Sequence, residues 1–279
     1  MILDFVTWNV NPDIFTIPNV PWIHQIVIRW YSLLFGAGFV IGYFIILKIF
    51  KKEGIKVNVL DKLTTYMFLS TIVGARLGHV FFYQPEYYFH HPWEILKTWE
   101  GGLASHGAAF GILFGLYLFS RSEKRNYMWI LDRIVIVIAL AGMFIRLGNL
   151  MNSEIYGDVT NLPWGFIFVR DVGVNGPAHH PTQLYEAICY LISFVVLYQY
   201  YWQKKGNLVK GNLFAMFLIL IFGTRFIIEF VKEPQVGFEQ NLLLNMGQIL
   251  SIPFIIIGIV ILIVNRKKTP TPSWISSKK

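Results

Sequence analysis

The chain has 279 residues, of which 55% are hydrophobic and only 14% charged. Soluble domains carry about a quarter charged residues, so an ordinary water-soluble globular fold is excluded. The formal net charge of +8 points to lipid rather than nucleic acid, because Lys and Arg of a membrane protein collect in cytoplasmic loops facing anionic headgroups.

Residues 1–25 mix aromatics with Pro12, Pro18 and Pro21 and read as an interfacial segment on the outer face, where Trp8, Trp22 and Trp30 suit the headgroup region. No Lys or Arg precedes Arg29, so a basic signal-peptide n-region is missing and the first helix is expected to be an uncleaved anchor. The first span is predicted from about Ile26 to Phe50. Lys48, Lys51, Lys52, Lys56 and Lys62 follow it and mark a cytoplasmic loop. The second span, about Leu63 to Tyr83, contains Arg76. Residues 84–102 form an external loop, rich in aromatics and His and punctuated by Pro85 and Pro92. The third span runs from about Leu103 to Phe119, with His106 near its start. Arg121, Lys124, Arg125 and Arg133 place the next loop inside. The fourth, about Met128 to Met151, holds Arg146.

Residues 153–181 are polar and Gly-rich, and Trp164–Arg170 suits a short strand; the stretch is read as a small external cap. The fifth span, about Gln183 to Trp202, ends at Lys204, Lys205 and Lys210. The sixth, about Asn212 to Val231, contains Arg225 and Glu229. The seventh, about Met246 to Val264, ends in Arg266, Lys267 and Lys268 before a polar tail with Pro270 and Pro272. The predicted fold is therefore all-α: one polytopic membrane domain over 1–279, about seven transmembrane helices, N-terminus outside and C-terminus inside, with the cap inserted at 153–181. Basic residues obey the positive-inside rule at each loop. Cys189, the single cysteine, lies in an apolar run. It allows no internal disulfide or CxxC centre, so a thiol needed for chemistry comes from a partner.

Ionisable side chains at membrane depth cost from about 3 to above 10 kcal/mol. Spans two, four and six each carry an arginine in the outward half: Arg76, Arg146 and Arg225. Span three adds His106, and span one Arg29 and Tyr31. No ionisable residue is expected equally deep on the inner side. A small-anion transporter would need such groups through the full thickness. Clustering in one leaflet, with cations lacking matching acids, suggests a pocket for the phosphate of a lipid, which the arginine fork binds bidentately. Asn149, Asn152 and Glu154 follow Arg146 closely. Gln183, Tyr185 and Glu186 stand at the outer mouth of span five. Blander readings exist for each: Arg76 tying a carbonyl, Arg29 at an interface, Arg225 and Glu229 as an i,i+4 ion pair, and His180–Glu186 as a helix-capping segment. His79, His90 and His91 lack metal-like spacing.

These residues resemble the prolipoprotein diacylglyceryl transferases, bacterial membrane enzymes that begin lipoprotein maturation. The resemblance rests on Arg29-Trp-Tyr31, Gly74-Ala-Arg-Leu-Gly78, Gly101-Gly-Leu-Ala-Ser-His-Gly107, Arg146-Leu-Gly-Asn149 with Asn152-Ser-Glu154 and Gly157, His180-Pro-Thr-Gln-Leu-Tyr-Glu186, Arg225-Phe-Ile-Ile-Glu229 and Met246-Gly-Gln248. It implies transfer of the diacylglyceryl group of phosphatidylglycerol to the lipobox cysteine thiol of a preprolipoprotein signal peptide, releasing glycerol 1-phosphate, with no cofactor or metal. It implies a multi-pass protein of the bacterial cytoplasmic (inner) membrane whose site faces the periplasmic leaflet. The family's central arginine and asparagine match Arg146 and Asn149, its essential histidine His106, and its second essential arginine Arg225. Where the family often has a tyrosine one turn earlier, this chain has Ile221; its histidine-glycine-glycine is His106-Gly107-Ala108 here. On this reading His106, Arg146 and Arg225 are catalytic. Arg146, Asn149, Asn152, Glu154, Tyr31, Arg76, Glu229, Gln183 and Tyr185 bind substrate. The rival is an outer-leaflet lipid-binding scaffold or flippase, which needs no His106 and makes no thioether.

Overall fold

A computed structural model describes residues 5–20, 24–98, 101–233 and 243–270; Pro21, Trp22 and Pro272 lie outside them. Nine α-helices are described: α1 (Trp30–Lys52), α2 (Val57–Phe82), α3 (Pro85–His90), α4 (Ser105–Ser122), α5 (Tyr127–Met151), α6 (Val169–Val172), α7 (Thr182–Gln203), α8 (Asn212–Ile228) and α9 (Met246–Asn265). The seven long ones fall on the seven apolar stretches. Five of these (α1, α5, α7, α8 with its 3-10 extension Glu229–Val231, and α9) are long and apolar enough to cross a membrane by length and composition. In α2 the apolar run is broken by Asp61, Lys62 and Arg76, and α4 has only 18 residues.

Side chains close the helix ends where the backbone leaves N–H groups without partners. The Asn126 side chain accepts from Trp129 N at the start of α5 (3.2 Å). Asn245 and Gln248 form a capping box on α9. The start of α8 is capped from another helix: buried Asp132 of α5 accepts from Gly211 N (2.7 Å) and Phe214 N (2.9 Å). Helix α5 is the hub, with α1 and α7 packed along it, α8 also touching it, and α9 lying on α8. Ile130, Ile136, Leu116, Leu197 and Leu213 are fully buried around its first half. Helix α2 packs chiefly on α4 through Gly74, Gly78, Gly107 and Gly111, where a side chain on one helix would strike the backbone of the other.

Three expectations are corrected. The fold is not purely helical, because the N-terminal segment forms strands β1 (Val6–Trp8), β2 (Asp13–Val20) and β3 (His24–Arg29). β2 and β3 make an antiparallel hairpin of β-branched and aromatic residues. Residues 26–29 belong to β3, so the first long helix begins at Trp30 rather than Ile26. Deep ionisable residues also occur at the opposite ends of the helices. Arg133 lies six residues inside the start of α5 and Arg146 five residues from its end, about 9 and 7.5 Å along the axis. Arg133 is tolerated there because it is closed off. Its Nε and Nη2 donate to Glu53 (3.1 and 2.7 Å), its Nη1 donates to the Trp129 carbonyl (3.1 Å), and Tyr201 donates to Glu53 (2.7 Å).

The strand expected near Trp164–Arg170 is present as β4 (Phe166–Phe168). It pairs in parallel with β1, Val6 opposite Phe166 and Trp8 opposite Phe168. The stretch 84–98, expected to belong to an external loop, is not featureless: it contains α3 and a 3-10 turn, Pro92–Leu96.

Candidate active site

The end of α5 is built as a sharp reversal. Ser153 and Ile155 adopt positive φ (56° and 60°), a conformation that costs a non-glycine residue roughly 1–2 kcal/mol. Hydrogen bonds around Glu154 hold it. Asn149 Nδ2 donates to the Glu154 carboxylate (2.7 Å), as does Asn152 Nδ2 (3.2 Å). Glu154 N donates to the Asn149 carbonyl (3.1 Å) and Gln183 Nε2 to the Glu154 carbonyl (2.6 Å). Asn149 Oδ1 in turn accepts from Arg146 Nη1 (3.3 Å). The Tyr31 ring lies against Gly148, where even a methyl group would not fit. Arg146, Asn149, Asn152, Glu154, Gln183 and Tyr31 thus form one neighbourhood.

From Arg146 a chain of charges crosses three elements. Arg146 Nε is 2.8 Å from Glu186 Oε2 of α7, and that oxygen has no aligned hydrogen bond, so the contact is Coulombic rather than a directed bond. The other Glu186 oxygen is 3.5 Å from Lys232 Nζ. Lys232 is also 3.7 Å from Glu229 Oε2, which is 3.9 Å from Arg225 Nε. Glu186 is fully buried, and Lys232 and Glu229 nearly so, while the Arg225 side chain remains 33% exposed. Burial pulls the Lys232 ammonium below the usual lysine range, and the facing Glu186 and Glu229 carboxylates oppose that shift. Arg225 and Glu229 are therefore an i,i+4 pair and part of the network at once. Among the described residues Arg225 Nε, although buried, has no hydrogen-bond partner, so that donor is loosely held. The expectation of cations lacking acids needs correcting, since Glu186 and Glu229 face them. The network still counts three cations against two carboxylates.

The remaining expected residues sit elsewhere. Arg76 is 4% exposed, and its donors are taken by the carbonyls of Glu94, Ile95, Gly101 and Gly102, with the guanidinium 5.0 Å over the Tyr88 ring. It fastens residues 84–102 to α2 and borders a cavity of about 890 Å³ there, with His79, Tyr83 and Glu86. Tyr185 points to the 153–181 segment, its hydroxyl accepting from Trp164 Nε1 (2.9 Å). His106 is exposed at the start of α4, its ring beside Phe82 and Tyr83 (5.1 and 5.8 Å between centres). Among the described residues no hydrogen bond or ion pair joins it to the arginine network. Arg29 makes an exposed ion pair with Asp13 (3.1 Å). No group of three His, Cys, Asp or Glu among the described residues could hold a metal ion.

Two members of the network escaped the sequence reading. Glu186 read as a hydrogen-bonding residue of a capping segment, and its carboxylate proves to be the partner of Arg146. Lys232 was not singled out in the sequence. Its spacing of three from Glu229 was the available signal, since that spacing faces the two side chains together over a helical turn.

The chain matches the family model described as prolipoprotein diacylglyceryl transferase over residues 18–264. It is 45% identical to the phosphatidylglycerol–prolipoprotein diacylglyceryl transferase of Tolumonas auensis, over 94% of this chain and 98% of that one. It is 43% identical to the protein so named from Porphyromonas gingivalis, over 98% of both chains. For the one from Chloroherpeton thalassium the figures are 42%, 92% and 93%.

Proposed function

The chain belongs to the prolipoprotein diacylglyceryl transferase family, and from that premise we propose how its residues divide the work of moving a diacylglyceryl group from phosphatidylglycerol to a prolipoprotein. It is an integral membrane transferase of lipoprotein biosynthesis. The acceptor is the lipobox cysteine thiol of a preprolipoprotein, and the protein lies in the bacterial inner membrane as seven spans. The N-terminus is outside, the C-terminus inside, and residues 153–181 cap the periplasmic face. The charge distribution supports that orientation, with Lys48, Lys51 and Lys52, Lys204 and Lys205, and Arg266 to Lys268 at one set of helix ends.

The acceptor sulfur attacks C3 of the lipid's glycerol. A C–S bond forms as the C–O bond to phosphorus breaks, and the electron pair leaves on the phosphate oxygen as glycerol 1-phosphate. Arg146 and Arg225 grip the phosphate, and the loosely bonded guanidinium of Arg225 is the observation that carries this assignment. Preorganised donors of this kind are worth a few kcal/mol each to the transition state. Asn149, through the Glu154 turn, fixes the Arg146 guanidinium. A free thiol is only a few per cent ionised at neutral pH. His106, exposed and without a hydrogen bond among the described residues, accepts its proton, a task suited to an imidazole.

The test incubates the purified protein with phosphatidylglycerol and a lipobox peptide. A mass gain of one diacylglyceryl group that disappears when the peptide cysteine is replaced is the expected result, and no gain refutes the reading. A pH–rate profile of His106→Gln isolates the base role: an unchanged profile with a modest rate loss removes it.

A further inference from the structure

We infer that Lys232 is the standing counter-ion that lets Arg146 and Arg225 release Glu186 and Glu229 and take up the lipid phosphate, which makes it a positioning residue and a charge selector. The inference rests on the assignment of the phosphate to the two arginines. Among the described residues Lys232 is the one cation in contact with both carboxylates, 3.5 Å from Glu186 and 3.7 Å from Glu229. Its backbone is also the point where three parts meet. Lys232 forms a bridge with Gly157, Asp158 N donates to the Val231 carbonyl (3.0 Å), and Lys232 itself closes the 3-10 turn that extends α8.

The charge count gives the reasoning. The charge network holds Arg146, Arg225 and Lys232 against Glu186 and Glu229, an excess of one positive charge. A phosphodiester carries one negative charge and balances it. Without Lys232 the two arginines are already matched by the two glutamates. The incoming lipid would then bring an uncompensated charge into a site where Glu186 is fully buried. A phosphomonoester, carrying close to two negative charges at neutral pH, overshoots the balance. The same count that admits the lipid therefore favours departure of glycerol 1-phosphate.

The experiment measures KM for phosphatidylglycerol and kcat with a lipobox peptide, using the full chain in mixed micelles. Lys232→Met is expected to raise KM roughly 30-fold or more, as for an uncompensated buried charge, with kcat changing far less. Lys232→Arg should restore KM. Adding Glu229→Gln to Lys232→Met restores the excess positive charge and should recover most of the loss, which a purely structural lysine would not allow. An unchanged KM in Lys232→Met, or a further decline in the double variant, overturns the inference. Arg225→Met is the arm for the underlying assignment. If it leaves KM and kcat intact, the arginine–phosphate reading fails; if it does not, and Lys232→Met is silent, only the counter-ion fails. Should Lys232→Met not fold, the unmodified protein decides. A glycerophosphodiester monoanion should compete with the lipid better than glycerol 1-phosphate at pH 8, and the reverse order refutes the charge count.

Discussion

The α2–α4 seam offers a test that can be worked from distances. A Cβ built on Gly78 lies 2.6 Å from Gly107 Cα, 3.1 Å from Gly107 N and 3.4 Å from Ala104 Cβ. Carbon atoms rest at about 3.5–4.0 Å, so Gly78→Ala must open the seam by about 1 Å at a point where both sides are backbone. Overpacking of this kind costs about 1–3 kcal/mol. Gly36→Ala is the matched control, since a Cβ there meets nothing within 4 Å. Both changes sit inside helices and gain the same propensity term of about 1 kcal/mol, so the difference between them isolates the seam. Gly107 adjoins His106, the proposed base, and a displacement of about 1 Å in a positioned catalytic group can cost on the order of 100-fold in rate. Gly78→Ala should therefore unfold about 1–3 kcal/mol more easily than Gly36→Ala in detergent and lose roughly 100-fold in transfer rate. Equal stability and equal activity of the two variants would refute both the seam and its link to His106.

Three further outcomes follow from particular contacts. Arg76→Lys cannot reach all four carbonyls, and residues 84–98 should exchange amide hydrogens and be cut by protease faster, with the rest of the chain unchanged. Trp8→Phe keeps the ring against Phe166 (5.4 Å) but loses the bond from Nε1 to the Leu150 carbonyl (3.0 Å); a loss of about 1 kcal/mol in unfolding free energy is expected by denaturant titration. Glu53→Gln leaves Arg133 buried without its counter-charge and should cost about 3–5 kcal/mol, while KM for phosphatidylglycerol of the folded fraction stays unchanged.

The helices were legible because their cause is local: long apolar runs bounded by basic clusters and capping residues such as Asn126 and Asn245. The reversal after Met151 was visible as a polar cluster, and Arg146, Asn149, Asn152 and Glu154 do meet there. Strand β4 was legible, but β1 was not, because it is three residues long and owes its existence to β4, some 160 residues away in sequence. Pairings of that range leave no periodic trace in so short a segment. The role of Arg76 was undecidable for the opposite reason. A lone arginine in an apolar run looks the same whether it meets a ligand or four carbonyls, and the carbonyls of Glu94, Ile95, Gly101 and Gly102 reach it only in the folded chain.

Two arginines on one helix, at similar distances from its two ends, differ in how firmly each is tied. Arg133 has directed bonds from Nε, Nη1 and Nη2, its partner Glu53 accepts a further bond from Tyr201, and both side chains are 2% exposed. A ligand would have to displace several aligned hydrogen bonds in a dry site to reach it, and each lost partner leaves a buried group unsatisfied. Arg146 has one long bond to Asn149, a close but unaligned contact with Glu186 and a hydrogen-bonding interaction with the Tyr190 hydroxyl, and its side chain is 15% exposed. Its counterpart Arg225 is 33% exposed and carries an unbonded Nε. Exchange of carboxylate for phosphate is cheap only where the first partner is poorly aligned and a third charge remains to neutralise it. Depth in the membrane does not distinguish the two ends of α5. The alignment of the bonds and the shared lysine do, and they support the proposed phosphate site at the Arg146 end.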